Sequence, residues 1–257
     1  MWYQLKSYLK FLIRSRNQHG IHSPFVYELV TRCFYDKSTY AEYQIMDAHR
    51  KRLYEDDSFI EESDFGAGSR VFKTNRRKLS RIAKLAGINK KRQRLLFRLS
   101  RYLEATDILE LGTSLGLGTI ALALSNPKAK IVSVEGCGQT AKKAQTFLNE
   151  FAIENASIKI ERFEAFFGKM PNRPFDLIYL DGNHSGEATI RYFEQLKNKL
   201  HNDSVVILDD IYYNSGMTEA WNRIRKDKKV RVSIDTFYWG LVFFRKEQKK
   251  QHFNIRL

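Results

Sequence analysis

The sequence predicts an α/β fold: a doubly wound, mostly parallel sheet of seven strands, preceded by an N-terminal helical extension. Three observations predict it. From residue 106 onward, strand-length runs of Ile, Leu and Val alternate with helix-length amphipathic segments, the pattern of repeated strand–helix units. The runs are apolar almost without interruption, as in strands covered by helices on both faces. Acidic and polar residues gather where the runs end, and open parallel sheets bind ligands beyond the carboxyl ends of their strands.

The first candidate element is "MWYQLKSYLKFLIRSR", where Trp2, Leu5, Leu9 and Leu12 share one helical face and Lys6, Lys10 and Arg14 lie elsewhere. Lysines interrupt the apolar stretch and no small-residue cleavage site follows, which argues against a signal peptide. Two readings stay open. The helix packs on the domain or on another subunit of a homo-oligomer, or it makes a peripheral contact with a membrane surface. His19 and His22 in "QHGIHSPFVY" lie far from any motif, and capping or packing is the role expected of them. Residues 1–75 are read as a helical accessory segment and 76–257 as the main domain. A glycine-rich break, "DFGAGS", falls at 64–69 and reads as a turn or a lid. Its Asp64-Phe65-Gly66 matches a protein-kinase tripeptide, but the catalytic-loop signature is missing.

From Phe65 to Leu103 the chain carries thirteen Lys/Arg and no acidic residue. Within that run, "KKRQRLLFRLSRYL" places Leu95, Leu96, Leu99 and Leu103 on one helical face and Lys90, Arg94, Arg98 and Arg101 on a basic stripe. A solvated helix face is one explanation; an anionic substrate, nucleic acid or an anionic surface nearby is the other. The net charge of +15 allows either.

The strands of the main domain follow in order: "DILELG", "KIVSVEG", "SIKIERF", "FDLIYLD", "SVVILDD", then "VRVSIDTF" and "GLVFFRK" as an antiparallel pair joined through "YWG". Helices are expected at "LGTIALALSN", "QTAKKAQTFLNEFA", "SGEATIRYFEQLKNKL" and "GMTEAWNRIRKD". Two cysteines, Cys33 and Cys137, are too few for a disulfide framework, which fits a reducing, cytoplasmic setting. No apolar run reaches the roughly 18 residues of a membrane span.

The richest phrase is "ILELGTSLGLGTIALA", which sets Gly112, Gly116 and Gly118 between a strand and a helix. Glycines there let backbone approach a ligand, and helix amides attract negative charge. Gly116-x-Gly118-x-x-Ala121 matches the relaxed dinucleotide fingerprint, so an NAD-dependent oxidoreductase is one reading. However, the strand-end glycine is Gly112, and Glu110 before it suits a cationic ligand better than a pyrophosphate. Glu135, ending the next strand, can accept hydrogen bonds from both ribose hydroxyls in either case.

Glu110-x-Gly112-x-x-x-Gly116-x-Gly118 followed by Glu135 resembles the first motifs of class I S-adenosylmethionine (SAM)-dependent methyltransferases, whose fold is Rossmann-like. The Gly-x-x-x-Gly spacing is similar to the catechol and caffeoyl-CoA O-methyltransferase branch. "DGNHSGEATIRYFEQL…SVVILDDI" is similar to a broader bacterial family carrying a DG-x-H-S phrase. The resemblance covers roughly residues 85–245. It implies that Gly112, Thr113 and Gly118 surround the donor's methionine part, with Gly116 also on the cofactor side, that Glu135 holds the ribose and that Phe163 neighbours the adenine. Phe163 as ordinary core is the alternative.

In the catechol-type enzymes a metal sits on an Asp ending the fourth strand and an Asp-Asn pair ending the fifth. Those positions match Asp181, Asp209 and Asp210, with Asp in place of Asn at 210. Three carboxylates in one place repel unless one is protonated or a cation neutralises them. Oxygen ligands suit Mg²⁺ or Mn²⁺. In the metal-free alternative, Asp209 or Asp210 caps a turn and Asp181 bonds the donor's amino group. His184 stands three residues after Asp181, where the resemblance places the family's lysine base, and a histidine can take a hydroxyl proton.

The expectation is therefore a SAM-dependent methyltransferase acting on an oxygen of a small or anionic acceptor, with Mg²⁺ or Mn²⁺ assistance and with Asp181 and His184 in the catalytic role. The alternatives are an RNA-modifying methyltransferase that uses the 65–103 segment and a SAM-binding protein without catalysis. Neither an Asn/Asp-Pro-Pro-aromatic motif for base amines nor a Pro-Cys nucleophile is present.

Overall fold

The computed structural model describes residues 2–63, 65, 68 and 72–257. Of the "DFGAGS" turn, Asp64, Gly66, Ala67 and Ser69 lie outside the described residues. The first half of the chain runs α1 (Trp2–Arg14), α2 (Pro24–Leu29), α3 (Glu42–Glu55), β1 (Phe59–Glu61), β2 (Arg76–Lys78), α4 (Leu79–Leu85) and α5 (Lys90–Tyr102). The alternating part follows with β3 (Asp107–Leu111), α6 (Leu117–Ser125), β4 (Lys130–Glu135), α7 (Gly138–Glu150), β5 (Ala156–Ile160) and α8 (Phe163–Phe167). It closes with β6 (Phe175–Leu180), α9 (Gly186–Leu196), β7 (Leu200–Asp209), α10 (Ser215–Ile224), β8 (Val232–Asp235), β9 (Trp239–Phe243) and β10 (Gln251–Asn254). The fold is α/β with a mostly parallel sheet, as the alternation predicts. Two compact units make it up, Met1–Tyr35 with Pro171–Leu257, and Asp36–Met170. The first 75 residues are thus shared between the two.

In the unit built on Asp36–Met170, β3, β4 and β5 pair in parallel in that order. Ile108, Leu109, Ile120, Val134 and Phe147 are buried around them. Helix α5 begins on Asn89, whose side chain accepts from the Arg92 amide and satisfies an amide with no partner inside the helix. Leu95, Leu96 and Leu99 are buried, each contributing about 1.5–3 kcal/mol. A buried polar bridge ties three helices together. Arg50 of α3 donates to the Ile88 carbonyl (2.8 Å) and to Gln93 (2.6 Å), and Gln93 of α5 donates to the Leu117 carbonyl of α6 (2.7 Å).

The expected basic stripe takes partners from α3. Asp47 receives Lys90 (2.8 Å) and Arg94 (2.9 Å), and Glu42 receives Arg101 (3.4 Å). The Arg94 guanidinium also lies 4.4 Å from the centre of the Tyr43 ring, a cation–π contact. A count confined to residues 65–103 misses these acids because they come from an earlier helix. A second surprise is the antiparallel pair β1–β2, three residues on each side. Its "FIE" and "RRK" are too short and too charged to show strand periodicity.

In the other unit the strand order is β10-β8-β9-β7-β6. β6 and β7 are parallel, β7 and β8 are both antiparallel to β9, and β10 runs parallel to β8. The predicted antiparallel pair is there, but its link is Thr236–Tyr238, and Trp239 and Gly240 of "YWG" belong to β9. Gly240 is required: a Cβ there would stand 2.6 Å from the Trp221 indole, which packs against the strand. The described strands number five in this unit and three in the sheet of the other, one more than the expected seven because β10 was not expected.

Helix α1 belongs here, and its expected stripe is not the face that packs on this unit: Trp2, Leu5 and Leu9 are exposed and Leu12 is half-buried. Ser7 and Phe11 are the buried residues, and the Tyr8 and Phe11 rings meet Phe237 at 4.8 and 5.7 Å. Trp2, Leu5, Leu9 and Ile13 point the other way, into solvent.

Candidate functional site

The glycine loop follows β3. Gly112 has φ +110° and Gly116 φ +79°, regions open to glycine at little cost. Between them Ser114, a non-glycine residue, is held at φ +47°. Gly116 stands at the N-cap of α6, and Gly118 is buried in its first turn.

Glu110 of β3 is 1% exposed and stands in register opposite Ser133 of β4. One of its carboxylate oxygens accepts from the Thr119 hydroxyl (2.5 Å) and the Ser133 hydroxyl (2.6 Å). Thr113 shares a 2.6 Å hydrogen bond with Ser133, so all three hydroxyls form one network. The other oxygen, Oε1, is buried without a hydrogen-bond partner. Burial pushes the Glu110 carboxyl up to about 7, against the opposing effect of the two hydroxyls. A buried carboxylate with an empty lone-pair position is a ready acceptor for a cationic ligand group.

Glu135 ends β4. Its oxygens accept from the Ser114 amide (2.9 Å) and the Cys137 amide (2.9 Å), which fixes the carboxylate and leaves further lone pairs. Burial raises its pKa, with the two amides opposing. Phe163, half-buried, opens α8 just after β5.

Sequence reasoning missed a neighbour of Glu135. The Phe65 ring lies so close to Gly136 that a Cβ there would be 2.7 Å from it, and the Arg162 guanidinium sits 4.4 Å from the ring centre. The preceding segment is anchored beside it, with the Glu61 amide donating to Gln139 (2.8 Å) and the Ser63 amide to the Cys137 sulfur (3.4 Å).

In the other unit, Asp181 follows β6 and Asp209 ends β7. Asp181 accepts from the Tyr179 hydroxyl (2.9 Å) and shares a hydrogen bond with Asp209. Burial, then the charges of Asp209 and Asp210, hold the Asp181 carboxyl well above the usual range. Asp210 adopts φ +49° and its carbonyl accepts from the Tyr213 amide (2.7 Å). Among the described residues no three His, Cys, Asp or Glu side chains are grouped to hold a metal ion. The carboxylates associate as a hydrogen-bonded pair with a third charge nearby.

His184 is half-buried, its ring 5.1 Å from that of Tyr213. Asn183 and His184 have φ +68° and +39°, two consecutive non-glycine residues in the left-handed region. Such backbone costs free energy and concentrates where a side chain must be aimed. The loop is held by Asn183 donating to the Tyr192 hydroxyl (2.8 Å) and by Gly186, where any side chain would collide with the Gly216 carbonyl. Asn214 caps α10, accepting from the Met217 amide (2.8 Å).

Residues 109–211 match the family model of a methyltransferase domain. Among solved structures, the SAH-bound methyltransferase PaMTH1 of Podospora anserina is similar with a TM-score of 0.61 at 11% identity, over 88% of this chain and 97% of that one. A putative O-methyltransferase of Klebsiella pneumoniae is similar with a TM-score of 0.57 at 14% identity, over 84% and 94%. The O-methyltransferase TomG of Streptomyces achromogenes, solved with SAM, has a TM-score of 0.55 at 17% identity, over 85% and 95%. At these identities the likeness establishes the fold. It is the fold these methyltransferases share.

Proposed function

We propose that this chain, whose residues 109–211 match the model of a methyltransferase domain, is a SAM-dependent methyltransferase that transfers a methyl group to an oxygen of a small acceptor. The observation that carries the reading is the Glu110 carboxylate, buried, held by Thr119 and Ser133, with one oxygen unpartnered at the head of a left-handed glycine loop. These residues fit the donor. Glu110 Oε1 supplies the charge that a ligand ammonium or sulfonium needs, and Gly112, Thr113, Gly116 and Gly118 would lie around its methionine part. Glu135, fixed by two amides, has lone pairs for both ribose hydroxyls, and Phe163 offers an apolar face to the adenine.

SAM supplies an electrophilic methyl on a sulfonium and leaves as S-adenosylhomocysteine. The chain's own task is to align the acceptor and remove its proton. His184 takes that proton, its ring set by Tyr213 and by the left-handed backbone at 183–184. Burial and the charges of Asp209 and Asp210 hold the Asp181 carboxyl well above the usual range; were Mg²⁺ or Mn²⁺ to bind, Asp181, Asp209 and Asp210 are the residues that would hold it. Bound there, such an ion would favour the ionised acceptor oxygen. Asp47 and Glu42 take up Lys90, Arg94 and Arg101, three of the thirteen cations that motivate the alternative of an RNA substrate. Methyl-labelled SAM incubated with fractionated metabolites, and separately with RNA, tests the reading. Label in an O-methylated small molecule supports it; label in RNA, or in nothing, overturns it.

A further inference from the structure

The outward stripe of α1 is an apolar surface that the fold leaves uncovered. Trp2 is 83% exposed, Leu5 49%, Leu9 55% and Ile13 85%. They recur every three to four residues, so they form one line along the helix. That line lies opposite Ser7 and Phe11, the residues that attach the helix to its unit. Attachment and stripe are therefore separate: the helix is held in place while its apolar line faces away from the protein.

The charges beside the stripe choose its occupant. Lys6, Lys10 and Arg14 follow one another at four-residue steps along one flank of the stripe, and Arg16 stands just past the helix end. No acidic residue occurs before Glu28, and no carboxylate among the described residues pairs with Lys6 or Lys10. A second copy of this chain would bring the same cations against them and adds another +15 of charge. An anionic lipid surface meets both features, since apolar side chains enter the acyl boundary while lysine stems reach back to the headgroups. We infer that α1 docks the protein on an anionic bilayer surface, lying in its plane with Trp2, Leu5, Leu9 and Ile13 inserted.

The protein offers its own reporter. Of its three tryptophans, Trp221 and Trp239 are 2% and 1% exposed, so only Trp2 can change from water to lipid. Full-length protein is mixed with phosphatidylcholine vesicles, with and without about 30% phosphatidylserine. Co-sedimentation and a blue shift of Trp2 emission are expected only with the anionic vesicles, and salt should reverse both. Leu9→Glu with Ile13→Glu should abolish binding, and Lys6→Glu with Lys10→Glu should weaken it about tenfold or more. All four positions are exposed, and unchanged circular dichroism and SAM affinity check that each variant is folded. The inference is overturned by failure to bind anionic vesicles, by stripe variants that bind like the parent, or by a solution dimer that Leu9→Glu with Ile13→Glu dissociates. That last result would make a second copy the occupant.

Discussion

Replacing Glu110 by Gln removes one ionisable proton from the most buried carboxyl of the glycine loop and changes little else. The hydroxyls of Thr119 and Ser133 can both donate and accept, so an amide keeps partners there. The rise from 4.5 to about 7 corresponds to about 3 kcal/mol, at 1.4 kcal/mol for each tenfold change in acidity. Below pH 4.5 the carboxyl is protonated folded or unfolded, and nothing is lost. As pH rises toward 7 the unfolded chain ionises first, so the folded state loses stability, and above 7 the loss is complete. The assay is urea unfolding of parent and Glu110→Gln at several pH values from about 4.5 to 8. The difference between them should grow with pH in favour of the variant, reaching about 3 kcal/mol. The same variant should bind SAM more weakly, and parent affinity should rise as pH passes 7, because the ionised carboxylate is the form that attracts the donor. Parallel stability curves for the two proteins would refute the reasoning.

Three further outcomes follow from the geometry. Arg94→Ala should cost about 0.5–1.5 kcal/mol of stability and leave SAM affinity unchanged, and a double-mutant cycle with Asp47→Ala should return a coupling of about 0.2–1 kcal/mol, modest because both side chains are about a third exposed. A coupling of zero would mean the stripe is not neutralised by α3. His184→Ala should lower turnover about 10²-fold or more with little change in SAM affinity; equal losses in both would make it a binding residue. Chelator should stop turnover and Mg²⁺ or Mn²⁺ restore it, Asp210→Asn should be mild and Asp209→Ala severe. Full activity in chelator together with an active Asp209→Ala would refute a metal role for these aspartates.

What the sequence made legible was what periodicity and strand ends encode. The apolar runs became β3 to β9, and Glu110, Glu135, Asp181 and Asp209 stand at or beside strand ends as expected. Even the Glu110–Ser133 bond was available, since pairing "DILEL" with "KIVSV" residue by residue puts Ser133 opposite Glu110. Other features leave no local trace. Helix α8 has five residues and β10 four, too few to show a period. The acids that neutralise the basic stripe come from α3, about fifty residues before the arginines they meet, so composition within a window cannot find them. The direction of α1 was hidden for a different reason. Its apolar residues span two faces, Phe11 on one and Leu5, Leu9 and Ile13 on the other, and only packing decides which is covered. The left-handed backbone at Asn183, His184 and Asp210 was also unreadable, because none of them is a glycine.

The central claim is that Glu110, Glu135 and the glycine loop form a SAM site, and calorimetry tests it most directly. Parent protein should bind SAM and not NAD. Glu135→Ala, folded by circular dichroism, should lose about 1.5–3 kcal/mol of SAM affinity with the charged acceptor of the ribose hydroxyls. No heat with SAM, binding of NAD instead, or an unchanged affinity in the folded Glu135→Ala variant would contradict the account.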